Sequence, residues 1–234
     1  MTQALCTEVL LNLRRAGFAH IKQPVSFETF ESIATEMGTI ELVSEIRIDD
    51  EHAQQLHETR RVKARPSPYK ADALGFHSDN PRMDVLGWYC FEQDENTGAT
   101  LLIDTSDLPS YLADDDLAAL GETNLWYSVR SLESDEEQLF QIPLVIRKNT
   151  GCYVYYQPWL FLDAYDAEQT RVLQKFADYL AYKQRTQAIS VKLEKRQCLF
   201  IDNRRILHGR DAIAGNSRRH LRRFFIRTYR DVRG

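Results

Sequence analysis

The chain has 234 residues, 43% of them hydrophobic and 27% charged, and its formal net charge is −4. This length suits one domain, and this composition is that of a globular protein with a substantial core. A slightly negative chain gives no reason to expect nucleic acid or an anionic membrane as the main partner, and we see neither an apolar run of membrane-spanning length nor a secretory signal.

Four scattered cysteines bear on the cellular compartment. Three of them lie in apolar, strand-like stretches, and no two are close in sequence: Cys6, Cys90, Cys152 and Cys198. Because no close pairing suggests a disulfide framework, the simplest interpretation is four reduced thiols in a cytoplasmic protein.

Two helices are predicted at the N-terminus. Residues 2–16 carry apolar side chains at four-residue spacing, which is typical of an amphipathic helix. Residues 26–37 form a second candidate, with Ser26 as N-cap and Gly38 at the C-terminal end. We therefore expect a helical N-terminus over residues 1–40.

Residues 42–70 are polar and show no sustained period. They hold several charges together with Pro66 and Pro68, which do not fit the interior of a helix or strand. A loop of this length in a compact domain is usually functional or disordered. We interpret the segment as a lid over a site.

Stretches rich in β-branched and aromatic residues recur through the rest of the chain: residues 85–91, 99–103, 152–157, 189–193, 198–201 and 221–229. Two helical patterns interrupt these predicted strands, at residues 108–120 and 166–186. The alternating strand and helix pattern of a parallel sheet is absent, as is any domain boundary. We therefore predict a single, mainly β domain over residues 1–234, with flanking helices and a β core at residues 75–230 that contains inserted helices.

A histidine and a carboxylate stand two residues apart, at His77 and Asp79. In an extended chain such side chains project to the same side, so an imidazole nitrogen and a carboxylate oxygen can reach one metal ion. His208, at the end of an apolar strand, could add a third ligand from a facing strand. Two histidines and one carboxylate with open positions describe non-haem Fe(II) oxygenase sites. On its own, a His-x-Asp pair is more often a hydrogen-bonded pair at a strand end.

Arginines follow His208 on the next predicted strand. Arg219 and Arg223 share one strand face with Leu221 and Phe225, so cationic groups lie on an apolar side. A buried charge is costly unless it is paired. A bound dicarboxylate would pair one of these arginines well, because guanidinium binds a carboxylate through two parallel hydrogen bonds.

These features follow the order of a known family. The His-x-Asp motif, then Gly-x-Thr at a strand start, a distal histidine and an arginine about one strand later resemble the taurine dioxygenase-like 2-oxoglutarate oxygenases (TauD/TfdA, clavaminate synthase-like). The stretches HSDNP, TGATLLID and DNRRILHGRD are similar to those of taurine dioxygenase and γ-butyrobetaine hydroxylase relatives. The resemblance covers residues 70–230, and the ordered set of motifs is specific where each motif alone is not.

The resemblance implies a double-stranded β-helix, a jelly-roll or cupin-like barrel with iron inside one end. It implies His77, Asp79 and His208 as Fe(II) ligands, and Thr100 and Arg219 as binders of the distal carboxylate of 2-oxoglutarate. The implied reaction uses O2 to hydroxylate an unactivated C–H, with release of succinate and CO2. Related halogenases lack the carboxylate at Asp79, so hydroxylation is favoured over halogenation. Desaturation and cyclisation begin in the same way and stay open.

The substrate is expected to be a small carboxylate-bearing molecule such as an amino acid. Arg223 matches a position that contacts an anionic substrate group in some relatives, and Arg82, Tyr69 and Trp159 are further candidates for substrate binding. The lid adds cations at five positions: Arg60, Arg61, Lys63, Arg65 and Lys70. For any one of these residues, a solvated loop or a core aromatic is an equally good explanation. Free substrate and substrate tethered to a carrier protein both stay open, as does the oligomeric state.

Two other classes of protein compete with an oxygenase. Two histidines and an aspartate also bind zinc, although no His-Glu-x-x-His motif is present and the arginines would go unexplained. A non-catalytic β-barrel binding protein is the second, and the basic run at residues 218–223 could be a nucleic-acid patch. The charges of this run alternate between the two faces of a strand, and no stacking aromatic motif accompanies them, which disfavours nucleic acid.

Overall fold

The computed structural model describes residues 2–59, 66–130, 137–148, 151–162, 164–214 and 216–229. Within these ranges the chain forms six helices: α1 (Thr2–Ala16), α2 (Phe27–Met37), α3 (Asp50–Thr59), α4 (Leu108–Tyr111), α5 (Asp114–Glu122) and α6 (Ala167–Thr186). The same ranges hold thirteen strands: β1 (Phe18–Ile21), β2 (Gly38–Arg47), β3 (Leu74–His77), β4 (Val85–Glu92), β5 (Thr100–Asp104), β6 (Asn124–Arg130), β7 (Glu137–Pro143), β8 (Val145–Lys148), β9 (Gly151–Val154), β10 (Ile189–Val191), β11 (Cys198–Asp202), β12 (Ile206–Arg210) and β13 (His220–Thr228).

Two antiparallel sheets form the core. The larger has five strands in the order β1-β11-β4-β13-β2, and the smaller has four in the order β10-β5-β12-β3. Apolar side chains from both sheets meet in one buried cluster, with Leu86 and Phe225 from the larger sheet and Leu102 and Ile206 from the smaller. In the described part of the chain no strand belongs to both sheets, so they face each other as a flattened, unclosed barrel. This is the mainly β, double-stranded β-helix fold that the sequence predicts.

Helices cover the outer face of each sheet. The helices α1 and α2 pack against the larger sheet through a buried cluster that includes Leu13, Phe30 and Phe200. The helices α5 and α6, together with the β6–β7 and β8–β9 hairpins, cover the smaller sheet around Phe176 and Leu207. Central strands are therefore buried on both faces, which explains why they read as continuous apolar runs instead of alternating ones.

The predicted helices are confirmed, with one subdivision. The hydroxyl of Ser26 caps α2 by accepting a hydrogen bond from the backbone N–H of Thr29 at 3.2 Å. Asp166 caps α6 in a capping box. The helical pattern at residues 108–120 divides into α4 and α5, because Leu112 adopts an extended backbone conformation between them.

Two predictions near the N-terminus are wrong in part. Residues 1–40 are not wholly helical, because β1 pairs with β11 and β2 begins at Gly38. Residues 42–70 are not one irregular lid, since residues 42–47 complete β2, which pairs with β13, and residues 50–59 form α3. Polar and charged side chains on the exposed edge of β2 break the apolar pattern expected of a strand, which is a common feature of edge strands.

Candidate active site

Two buried histidines lie side by side on neighbouring strands. His77 ends β3, His208 is in the middle of β12, and the two are directly paired in register. Side chains at paired positions of antiparallel strands project to the same face, and here the ring centroids are 4.3 Å apart. The second histidine therefore comes from an adjacent strand of the smaller sheet, and not from a facing strand as the sequence suggested.

Asp79 follows β3 and brings a carboxylate to the same place. Its Oδ1 lies 3.9 Å from Nε2 of His77, and its Oδ2 lies 3.6 Å from Nε2 of His208. All three side chains are buried, and their candidate ligand atoms lie within 4.8 Å of one another. The structure thus brings the three predicted metal ligands together in one cluster.

The protonation of the two rings suits metal binding. Nδ1 of His77 donates to the carbonyl oxygen of Gly75 at 2.8 Å, so Nε2 is the ring nitrogen that faces Asp79 and could bind a metal ion. Burial, with the neighbouring His77, lowers the pKa of His208 to about 3, so this ring is neutral at ordinary pH. Two imidazoles and one carboxylate are a donor set that fits Fe(II).

The loop that carries Asp79 is fixed by Asn203, in the turn between β11 and β12. The Asn203 side chain accepts a hydrogen bond from the backbone N–H of Asp79 at 2.9 Å. Its amide group donates to the carbonyl oxygens of Asn80 and Met83, each at 3.0 Å. Sequence analysis missed this role, although an asparagine directly after an apolar strand is a signal for a side chain that bonds to backbone.

A second segment, after β9, is bonded to Ser78. The backbone N–H of Ser78 donates to the carbonyl oxygen of Tyr156 at 2.8 Å, and Nε2 of Gln157 donates to the carbonyl oxygen of Ser78 at 3.0 Å. Oε1 of Gln157 accepts from Nε1 of Trp159 at 3.1 Å, and the Trp159 ring lies 5.1 Å from that of His77. Gln157 thereby orients Trp159 beside the first histidine, a role that no sequence motif signals.

A buried cation in this region has no ion-pair partner among the described residues, and Asp94 acts on it only at longer range. Arg219 is 5% exposed, and its buried Nε has no hydrogen-bond partner or ion-pair partner among the described residues. Burial, together with the nearby Arg210, lowers the pKa of Arg219 to about 9. Gly98, with φ of 73°, packs against this side chain, since a Cβ there would lie 3.2 Å from Cδ of Arg219. A buried guanidinium without an ion-pair partner would be stabilised by a bound anion.

Arg223 lies four residues further, on β13. Its Nη1 donates to Oδ2 of Asp79 at 2.6 Å, and its Nε donates to the hydroxyl of Ser44 at 3.3 Å. The guanidinium carbon lies 4.4 Å from the centre of the Phe225 ring. Leu221 and Phe225 are buried between the sheets, so the predicted arginine-bearing face of this strand does point inward.

Arg210, which sequence analysis did not single out, holds the end of the predicted lid. Its Nη1 donates to the carbonyl oxygen of Pro68 at 2.9 Å. Its Nη2 donates to the carbonyl oxygens of Lys70 at 2.6 Å and Asp72 at 2.5 Å. Because Arg210 lies two residues after His208, it fastens this segment next to the histidine cluster.

One cavity of about 280 Å³ joins these groups. It is lined by eight of the nine predicted site residues: His77, Asp79, His208, Thr100, Arg219, Arg223, Tyr69 and Trp159. The structure does not bring the ninth, Arg82, to the cavity, because its side chain is exposed and lies 6.0 Å from the Tyr127 ring. The predicted lid cations Arg60, Arg61, Lys63 and Arg65 lie outside the described residues.

A flattened β-barrel with a cluster of this kind inside is the architecture of the dioxygenases that use iron and 2-oxoglutarate. Comparison of the sequence with known protein families agrees with this class. Residues 2–225 match the family described as "Taurine catabolism dioxygenase TauD, TfdA family", and the chain belongs to that family. No curated protein matches the sequence. None of the helices in the described residues is both long enough and apolar enough to cross a membrane.

Solved structures share the fold at low sequence identity. The oxygenase OrfP with iron, succinate and (3S)-hydroxy-L-arginine superposes with a TM-score of 0.68 at 16% identity, over 97% of this chain and 79% of that one. Asparagine oxygenase with Fe(II), 3-hydroxyasparagine and succinate gives 0.66 at 14% identity, over 96% and 79%. PvcB from Pseudomonas aeruginosa gives 0.64 at 17% identity, over 97% and 80%. At these identities the likeness establishes the double-stranded β-helix.

Proposed function

We propose that the protein is a hydroxylase whose iron is bound by His77, Asp79 and His208. The distal carboxylate of 2-oxoglutarate pairs with Arg219 and accepts a hydrogen bond from Thr100, both of which are buried in the wall of the same cavity. The observation that carries this proposal is the buried Arg219 guanidinium, which has no ion-pair partner among the described residues and lines the cavity that holds the histidines. A zinc enzyme without an anionic co-substrate would leave this charge unpaired.

The residues of the chain bind and orient the reactants. When bound, iron and 2-oxoglutarate would supply, with O2, the hydroxylation of an unactivated C–H coupled to the oxidative decarboxylation of 2-oxoglutarate to succinate and CO2. Arg219 neutralises one end of the co-substrate, and Thr100 fixes the position of that end. Buried side chains around the cluster exclude water from the reacting groups.

The proposed substrate is a small carboxylate-bearing molecule such as an amino acid. The OrfP and asparagine oxygenase structures contain a hydroxylated arginine and a hydroxylated asparagine, respectively. In this chain Arg223 uses Nη1 and Nε for protein partners, which leaves Nη2 for a ligand. Tyr69 and Trp159 supply aromatic walls to the same cavity. A carboxylate bound by Arg223 would lie near Asp79, and hence near the proposed metal.

We also propose a cytoplasmic location. All four cysteines are free thiols and all are buried. Such thiols are typical of a reducing compartment, which would also preserve iron in its ferrous state. The enzyme would then act on a metabolite that is present in the cytoplasm.

The test is succinate formation from 2-oxoglutarate in air, with Fe(II) and ascorbate, across a panel of amino acids and small carboxylates. We expect some of these compounds to stimulate turnover, and the stimulation to be lost in His77→Ala and in Arg219→Ala. Arg227→Ala is the matched control, because it removes a β13 arginine whose side chain is 56% exposed and pairs with Glu41 at 3.2 Å. Unchanged succinate formation in Arg219→Ala would contradict the proposed co-substrate site.

A further inference from the structure

The cavity has an apolar wall that the proposed iron and 2-oxoglutarate sites do not use. It is formed by side chains from the edge strand β2, from residues 66–74 and from β13: Leu42, Ile46, Pro66, Pro68, Leu74 and Phe225. The contribution of β2 follows from strand alternation, since Leu42, Ser44 and Ile46 face the cavity while Glu45 faces the other way and pairs with Arg222. This wall is where the body of a substrate can lie.

Three neutral polar side chains beside this wall have partners within the protein. The hydroxyl of Ser44 accepts a hydrogen bond from Nε of Arg223 at 3.3 Å, and Nε1 of Trp159 donates to a neighbouring glutamine at 3.1 Å. Oδ1 of Asn80 accepts from the hydroxyl of Tyr127 at 2.7 Å. A polar substrate side chain placed against these three groups would have to compete with their existing hydrogen bonds, whereas an apolar one would not.

The charges in the cavity oppose a cationic side chain. Asp79 is the one carboxylate among the described lining residues, and it is paired with Arg223 at 2.6 Å and belongs to the proposed metal site. Arg210, Arg219 and Arg223 give the lining an excess of positive charge. An ammonium or guanidinium group at the end of a substrate side chain, away from the substrate's own carboxylate, would lose its hydration among these arginines without gaining a carboxylate partner, which is unfavourable.

The volume of the cavity limits the size of the substrate. The cavity encloses about 280 Å³, and it must hold 2-oxoglutarate as well as the substrate. Pockets for a single drug-sized ligand span about 300–1,000 Å³. The volume of the cavity therefore favours a compact substrate.

We propose that the substrate carries a carboxylate on a compact, uncharged, aliphatic body, as in an aliphatic amino acid or a short fatty acid, and that basic side chains are rejected. This inference rests on the proposed function, because it takes the places of iron and 2-oxoglutarate in the cavity as given.

Leu42 is a residue at which the selectivity for substrate can be changed. It lines the cavity and yet is 52% exposed, so it lies at the cavity mouth, where a charged residue can be tolerated.

Calorimetric titration of the protein loaded with Zn(II) and 2-oxoglutarate tests the inference without requiring turnover. L-norleucine and L-lysine are suitable probes, because their side chains are similar except for the terminal ammonium group of lysine. We expect norleucine to bind at least about tenfold more tightly, because lysine must bury that group without a counter-charge. Leu42→Asp should abolish or reverse this preference. Val43→Asp should leave it unchanged, since Val43 is 49% exposed and does not line the cavity.

Three results would overturn the inference. The inference requires lysine to bind more weakly than norleucine, so equal or tighter binding of lysine to the unchanged protein contradicts it. Failure of norleucine, leucine and hexanoate to bind a complex that has taken up 2-oxoglutarate does the same, and so does an unaltered norleucine preference in Leu42→Asp. Binding of 2-oxoglutarate to the Zn(II)-loaded protein is measured first. If 2-oxoglutarate does not bind, the proposed function fails and the inference fails with it, so the two kinds of failure are distinguishable.

Discussion

Oδ1 of Asn203 accepts a hydrogen bond from the backbone N–H of Asp79 at 2.9 Å, which ties the carboxylate-bearing loop to the turn between β11 and β12. The same side chain donates to the carbonyl oxygens of Asn80 and Met83. Because His208 lies on β12, a few residues beyond this turn, Asn203 couples the position of Asp79 to that of a histidine. A buried amide thus acts as a positioning residue for two of the proposed metal ligands.

Asn203→Ala should weaken metal binding by about 10–100-fold, the usual cost of losing a group that orients a metal ligand. It should also lower the free energy of unfolding by about 1–3 kcal/mol, because buried backbone groups lose their partners. Calorimetric titration with Zn(II) measures the first effect, and urea unfolding measures the second. Asn124→Ala, which alters a half-buried asparagine on β6 away from the cavity, is the control. Equal metal affinities in the two variants would contradict a positioning role.

Gly98→Ala should weaken 2-oxoglutarate binding and destabilise the fold. At φ of 73° an alanine costs about 1–2 kcal/mol, and its Cβ would lie 3.2 Å from Cδ of Arg219. Gly75→Ala is the matched control, because a Cβ there would meet nothing within 4 Å. Calorimetric titration with 2-oxoglutarate compares the two variants. Tight binding in Gly98→Ala would show that the position of Arg219 does not depend on this glycine.

Replacing the two cavity arginines should change stability in opposite directions. Arg219→Met removes a buried cation that has no ion-pair partner among the described residues, so we expect the ligand-free protein to gain about 1–4 kcal/mol in its free energy of unfolding. Arg223→Met removes the partner of buried Asp79, so we expect a loss of about 3 kcal/mol. Chemical denaturation in the presence of a chelator measures both changes. A loss of stability in Arg219→Met would argue against an unpaired charge at that position.

Arg210→Met should release the segment that precedes β3. This substitution removes the donors to the carbonyl oxygens of Pro68, Lys70 and Asp72. Each hydrogen bond from a charged donor is worth about 1.5–3 kcal/mol, so we expect trypsin to cleave after Lys70 at least about tenfold faster. Arg227→Met, which alters an exposed arginine on β13, is the control. Equal cleavage rates in both variants would exclude Arg210 as the residue that fastens this segment.

Local signals made part of the fold predictable. The helices α1, α2 and α6 were predicted nearly to the residue because amphipathic spacing, and the N-cap Ser26 in the case of α2, act over a few neighbouring positions. Strand β2 was missed because its pairing partner β13 lies more than 170 residues away, with Glu45 opposite Arg222. The stability of an edge strand depends on that distant partner, and its own sequence carries no clear alternation.

In the candidate site, too, features that depend on local spacing were predictable, and features that depend on the tertiary fold were not. The spacing of His77 and Asp79 indicated a metal site, but the side-by-side placement of His208 depends on the register between β3 and β12, which no local pattern encodes. Asn203 and Gln157 act on backbone groups and on other side chains through the tertiary fold. Their roles therefore required the structure.

We propose that Arg219 and the histidine cluster bind one co-substrate and one metal ion in the same cavity. Anaerobic titration of 2-oxoglutarate into the Fe(II)-loaded protein, followed by visible absorption, tests this most directly. We expect a saturable charge-transfer band in the unchanged protein and no band in His77→Ala. Arg219→Met should need at least about thirtyfold more 2-oxoglutarate for half-saturation, corresponding to a loss of about 2 kcal/mol. Absence of the band in the unchanged protein, or equal half-saturation in Arg219→Met, would contradict the account.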